Sequence, residues 1–247
     1  MESKKIVSVP TCLFRGIFDK TQKAEVVDRI LDFVIYETFC ACNDIEKTYK
    51  MLGIVNSGGR DSMMECARRG QSIAEGVDTK SVFYIDIFRL IDIRDSVQSL
   101  NEIVLFMMYY ALGSIQGKKD YFRTDNLMLL SRMNGGDKKL KNSDELCDEL
   151  RARSSKYHMA KLRDMLYRYY KVSFYVPTSC KGFYFSTKLE LKDLIKRVSF
   201  NIKAKESKAS LAEDTLRALR EIEAEEGLNE RQKVSLERMI QQRKTKI

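Results

Sequence analysis

Ser155-Lys-Tyr-His-Met-Ala-Lys-Leu-Arg-Asp-Met-Leu-Tyr-Arg-Tyr-Tyr170, with Val172-Ser-Phe-Tyr-Val176 and Phe183-Tyr-Phe-Ser186 behind it, is the stretch on which the fold turns. At about 100° per residue, Met159, Leu162, Met165, Leu166 and Tyr169 fall within about 60° of one direction, which predicts a helix with one buried face. The other side carries Lys156, Tyr157, Ala160, Lys161, Arg163, Asp164, Tyr167 and Arg168. It is basic and aromatic, with one small residue near its N-terminal end. Ser154 or Ser155 is placed to cap this helix. The two runs that follow are rich in β-branched and aromatic residues and flank Thr178-Ser179-Cys180-Lys181-Gly182, which predicts a hairpin.

Upstream, Thr124 is a suitable cap for a helix bearing Leu127, Met128, Leu130 and Met133 that should stop at Asn134-Gly135-Gly136. A polar loop leads to Ser143, where Asp144 and Glu145 suit the first turn of a short helix through Leu146 and Leu150. Gly117-Lys118-Lys119-Asp120 is the expected domain junction, after a helix over about 98–115 that Gly113 and Gly117 should close. The charge changes at the same place. Residues 1–117 carry 14 Lys+Arg and 16 Asp+Glu, residues 118–208 carry 22 and 11, and residues 209–247 carry 8 and 8. The net charge of +9 therefore arises in the middle segment alone.

Residues 1–117 read as a helical domain. Val26, Val27, Ile30, Leu31, Val34, Ile35 and Phe39 recur at three- and four-residue spacing behind a candidate cap at Thr21, and Ile45, Tyr49 and Leu52 mark a second helix from about Asp44. Further helices are expected at about 61–75 and 83–94. In the helix over 98–115 the run Ile103 to Tyr110 is apolar nearly all round, the mark of a central buried helix. Beyond residue 203 the apolar positions thin to Leu211, Leu216, Leu219, Ile222 and Leu228, which predicts a charged helical tail. With two prolines, no tryptophan and 32% charged residues in 247, the expectation is a mainly α protein with little sheet.

The six cysteines lack Cys-x-x-Cys spacing and His158 is the only histidine, so no zinc site, metal or cofactor is expected and the thiols should be free. No run is long and apolar enough to span a bilayer, and no export signal follows the first lysines, so a cytoplasmic location without membrane contact is expected. Asn56-Ser57-Gly58-Gly59-Arg60-Asp61-Ser62 leads into a helix but lacks the Lys-Ser/Thr pair of a phosphate-binding loop. Asp86, Asp92 and Asp95, read as lying in one helix beside Arg89 and Arg94, suit salt bridges better than metal binding. No enzyme is expected.

The runs Lys119–Gly135, Arg153–Leu166 and Lys181–Lys188 together resemble the winged helix-turn-helix segment of DNA-binding proteins of bacteriophages and mobile elements. The likeness covers about 75 of the 247 residues: a capped first helix, an acidic connection, a helix with a Leu/Met face, and a wing ending in Gly-Phe-Tyr. It implies DNA binding by residues 119–203, and with the junction and the charged tail read above the chain divides into three expected parts: a helical domain over 1–117 for dimerisation or partner binding, a winged-helix domain over 118–203 with a two-stranded wing, and a tail over 204–247. It further implies duplex DNA as partner, in replication or transcription control. Ser155, Lys156, Tyr157, Ala160 and Lys161 would then face base edges, with Arg163 and Arg168 nearer phosphates and Lys181 at the wing tip. Arg123, Lys138, Lys139 and Lys141 would extend the contact. The alternative is a non-enzymatic adaptor or inhibitor whose basic winged helix docks on an acidic host protein.

Overall fold

A computed structural model describes residues 5–55, 58–78, 80–95, 99–178, 181–204, 207 and 213. In chain order the elements are β1 (Ile6–Pro10), α1 (Lys23–Cys42), α2 (Ile45–Leu52), α3 (Gly59–Glu75), β2 (Val82–Asp86), α4 (Ile87–Asp95), α5 (Leu100–Gln116), β3 (Phe122–Thr124), α6 (Asn126–Met133), α7 (Asp148–Arg151), α8 (Lys156–Tyr170), β4 (Ser173–Tyr175) and β5 (Phe183–Ser186). Residues 191–204 are helical. The protein is mainly helical, with two small antiparallel sheets. The chain divides into two units, Met1–Leu194 and Ile195–Ile247. The apolar positions expected in the tail lie outside the described residues.

The buried positions of α1 are those its spacing predicts: Val26, Val27, Ile30, Leu31, Val34 and Ile35. Its start differs. Thr21 does not cap it; its N–H and hydroxyl both donate to Asp19 Oδ1, at 2.8 and 2.7 Å. At α2 the Asp44 carboxylate accepts from the N–H groups of Glu46 and Lys47, and Ile45, Tyr49 and Leu52 are buried.

Helix α3 lies against α1 at Gly70, where an added Cβ would sit 2.1 Å from the Asp32 carbonyl oxygen. That close approach lets Arg69 reach Asp32 with two parallel bonds, Nε to Oδ2 at 2.7 Å and Nη2 to Oδ1 at 3.0 Å. Bidentate pairing of this kind fixes geometry as well as charge.

Two elements of the N-terminal half depart from the sequence reading. Residues 82–86 form a strand, β2, and only 87–95 continue as helix. Strand β2 pairs antiparallel with β1, from Ile6 opposite Asp86 to Pro10 opposite Val82. Asp86 thus ends a strand and shares no helix with Asp92 and Asp95. Buried Val9, Phe83 and Ile85 make the inner face of this ribbon, and the alternation is the period expected of a sheet with one face covered.

At the centre is α5. Ser99 accepts from Glu102 N–H while the Glu102 carboxylate accepts from Ser99 N–H at 2.8 Å, a reciprocal capping box. Ile103 through Met108, with Ala111 and Leu112, are buried as its all-round apolar run predicts. Gly113 is interior to the helix and does not end it; Gly117 does, at φ 58°. One continuous apolar core runs from Val9 through α5 to Phe185, so the junction expected at 117/118 falls inside the first unit. The physical reason is that α5, assigned by sequence to the N-terminal part, also packs against α6 and α8.

Candidate functional site

The second sheet has the order β3–β5–β4. Phe122, Phe185 and Phe174 stand opposite one another across it, as do Arg123, Tyr184 and Tyr175. Phe183 and Phe185 are buried on the side of the core. Strand β3 has no counterpart among the sequence expectations. Thr124, expected as a helix cap, pairs with Phe183 in β3, and the neighbouring Asp125 caps α6 by accepting from Met128 N–H at 3.0 Å.

Gln116, at the end of α5, holds this sheet. It is buried, its Nε2 donates to the carbonyls of Lys119 and Asp120 at 2.9 Å each, and its Oε1 accepts from the N–H and hydroxyl of Thr187 at 2.9 and 3.1 Å. All four hydrogen-bonding positions of the carboxamide are used.

The acidic connection after α6 forms a short 3-10 turn, Ser143–Glu145, in which Asp144 N–H donates to Asn142 Oδ1 at 3.1 Å, and then α7. Arg132, at the end of α6, is buried and bonds Asp137 by Nη1 to Oδ1 and by Nη2 to the carbonyl, both at 3.3 Å. Burial pushes its guanidinium below the usual arginine range, and Asp137 offsets part of the effect.

Helix α8 starts at Ser155, whose hydroxyl accepts from His158 N–H at 3.2 Å and lies 3.0 Å from His158 Nδ1. Its occupied role is that of the cap. Met159, Leu162 and Leu166 form the buried stripe, and Met165 is half-buried. Tyr169, expected on that stripe, is 73% exposed, because it lies in the last turn beyond the last buried residue.

The opposite face is open. Lys156, Tyr157, Ala160, Lys161, Tyr167 and Arg168 are all exposed. Arg168 pairs with Asp164 at 2.8 Å one turn away. Lys156 and Lys161 have no carboxylate partner among the described residues.

Arg163 sits elsewhere. It is half-buried, its Nη1 donates to Asn126 Oδ1 at 3.0 Å and its guanidinium lies 4.9 Å from the centre of the Phe183 ring. Burial holds its guanidinium below the usual range. It is a clamp between α8, the first turn of α6 and β5, so its expected place near phosphates is corrected. The partner that claims it, Asn126, is 37 residues away and invisible to a helical wheel.

Among the outlying cations, Arg123 Nη2 donates to the Lys181 carbonyl at 2.7 Å, which anchors the C-terminal side of the hairpin turn to β3. Lys181 itself is exposed, and Ser179 and Cys180 lie outside the described residues. Lys138 and Lys141 are exposed, while Lys139 pairs with Asp125 at 2.6 Å. Burial alone would raise the Asp125 carboxyl, but the bonds from Lys139 and from backbone N–H groups outweigh it and hold the group below its ordinary value.

A larger groove, about 680 Å³, lies in the N-terminal part; of the charged residues that line it, Arg69 pairs with Asp32, Arg94 with Asp28, and Arg29 donates to the Leu13 and Arg15 carbonyls. Among the described residues no three His, Cys, Asp or Glu side chains are grouped as a metal site needs, and no helix is long and apolar enough to cross a membrane. No family model, curated protein or solved structure matches this chain.

Proposed function

We propose that the chain is a DNA-binding protein of the phage or mobile-element type, which grips duplex DNA through a basic winged helix and acts in replication or transcription control. The winged helix on this reading begins with α5 and not at residue 118. Its elements are then α5, β3, α6, α8, β4 and β5, with β5 between β3 and β4, and α8 is the helix offered to the major groove. The observation that carries the proposal is the division of α8. One face is sealed by Met159, Leu162 and Leu166, and the other holds Lys156, Tyr157, Ala160 and Lys161 open to solvent with no carboxylate on either lysine among the described residues. Exposed cations beside aromatic and small side chains suit phosphates and base edges together.

The test is a gel shift with the full chain and its Lys156→Glu/Lys161→Glu variant on duplex DNA. Retardation is expected to disappear in the variant while the far-ultraviolet dichroism stays the same, and parent affinity should fall steeply with salt. Equal retardation of parent and variant overturns the assignment. Retention of a host protein by the parent with no retention on DNA overturns the function.

A further inference from the structure

Beside the open face of α8 is a notch of about 350 Å³. It is lined by apolar Leu162 and Met165 together with Arg153, His158 and Lys161, and by Asn101 of α5. No carboxylate lines it among the described residues, in contrast to the larger groove in the N-terminal part. Arg153 is held in place by two bonds: Nη1 donates to the Glu149 carbonyl at 2.8 Å and Nη2 to Asn101 Oδ1 at 3.2 Å. A guanidinium has five N–H donors, so three remain after these two bonds. His158 is oriented by its contact through Nδ1 with Ser155, which leaves Nε2 as its second hydrogen-bonding atom.

The position of the notch matters as much as its charge. At about 100° per residue, Lys161, Met165 and His158 lie on one flank of α8, and Arg163 lies about 160° from Met165 on the other. Arg163 marks the flank that meets Asn126 and the wing strand β5. The open face, with Tyr157 and Ala160, lies between the two flanks. A helix in the major groove meets one phosphate backbone along each of its sides, and the wing stands on one side only.

We propose that the Arg153–His158–Lys161 notch seats a phosphodiester of the DNA strand opposite the wing, so that α8 is bracketed by phosphate contacts on both flanks. This rests on the DNA-binding reading above. It also moves Lys161 from reading bases to touching the backbone, where it sets register. Tyr157 and Ala160 are left as the residues that face bases.

The experiment uses the full chain, a duplex of about 30 base pairs and fluorescence anisotropy across a salt series, with the parent, Arg153→Gln/Lys161→Gln and Lys156→Glu. The notch variant should bind roughly tenfold or more weakly at moderate salt, by a similar factor on unrelated sequences. Its plot of log affinity against log salt should be shallower by about one, the amount for a single lost phosphate contact.

Because Arg153 also bonds Asn101 and the Glu149 carbonyl, Arg153→Lys serves as a second variant that keeps the charge. It should recover most of the affinity if the notch is electrostatic. Duplexes carrying one neutral methylphosphonate at successive positions supply an independent readout. One position should weaken the parent and leave the notch variant unaffected. If parent and Lys156→Glu differ while the notch variant keeps the parent's salt slope, the notch proposal is overturned and the DNA reading stands. If the parent binds no duplex at all, both fall. Inorganic phosphate taken up at the notch, without any effect of the notch variant on duplex binding, also overturns the proposal.

Discussion

Replacing Gly70 by alanine tests how α3 sits on α1. In a solvent-exposed helix interior the change would favour folding by about 1 kcal/mol, since alanine is the better helix former. Here the new Cβ would lie 2.1 Å from the Asp32 carbonyl oxygen, 2.7 Å from the Asp32 carbonyl carbon and 2.7 Å from Tyr36 Cβ. Two of those atoms are backbone and cannot swing aside. Carbon–oxygen contacts settle near about 3.3 Å, so the helices must part by roughly 1 Å. A gap of that size forfeits about a quarter to a half of the dispersion energy of each contact it opens.

The separation also pulls Arg69 from the bidentate geometry it holds with Asp32. Overpacking costs about 1–3 kcal/mol, and the lost pairing adds to it. After the helix-propensity gain, a net loss of about 2–3 kcal/mol is expected, a fall in melting temperature of roughly 5–10 °C for a protein of this size. Gly113 in α5 is the counterpart: nothing lies within 4 Å of the position its Cβ would take, so Gly113→Ala should gain up to about 1 kcal/mol. Thermal and urea melts of the two variants, read by circular dichroism, are the assay. A Gly70→Ala protein as stable as the parent would refute the close approach of α1 and α3.

Arg163→Ala should lower stability by about 1–3 kcal/mol through loss of the Asn126 bond and the stack on Phe183, while the salt slope of duplex binding stays at the parent's value; an unchanged melt with a shallower slope would return Arg163 to the phosphates. Asp125 supplies a pH signature. Its folded-state carboxyl is held below the ordinary value of about 3.9, so the stability it contributes is present above that value and disappears as pH falls through the folded one. Urea midpoints of Asp125→Asn and the parent should therefore differ at neutral pH and draw together as the pH falls through the folded-state value; an Asp125→Asn protein as stable as the parent at neutral pH contradicts a contribution from the Lys139 pairing.

The parts of the fold that the sequence revealed are those whose burial is decided within one helix. Val26 to Ile35, the run Ile103 to Met108, and Met159, Leu162 and Leu166 each repeat at helical spacing and are buried where that spacing puts them. The hairpin of β4 and β5 announced itself by aromatic residues around a glycine turn. What escaped was set by distant partners. Strand β1 pairs with residues some 75 positions away, and β3, only three residues long, exists because Phe183, Tyr184 and Phe185 lie alongside it. Phe83-Tyr-Ile85 runs straight into Ile87 and Leu90, so one apolar stretch served as strand and helix in turn. At the site, the open face of α8 was legible from its wheel. The notch was not, because Asn101 and Arg153 meet His158 and Lys161 only after α5 and α8 have packed.

The four bonds of the Gln116 carboxamide carry a practical corollary for anyone dissecting this molecule. Two of them join the end of α5 to Thr187, 71 residues downstream, and the loop between them must close before the three-stranded sheet has its full support. An excised piece beginning at Lys118 would discard both that tether and the apolar helix on which α6 and α8 rest. A minimal autonomous fragment therefore has to start at or before Ser99, and one cut at the charge boundary should come out of the cell as insoluble, unfolded material.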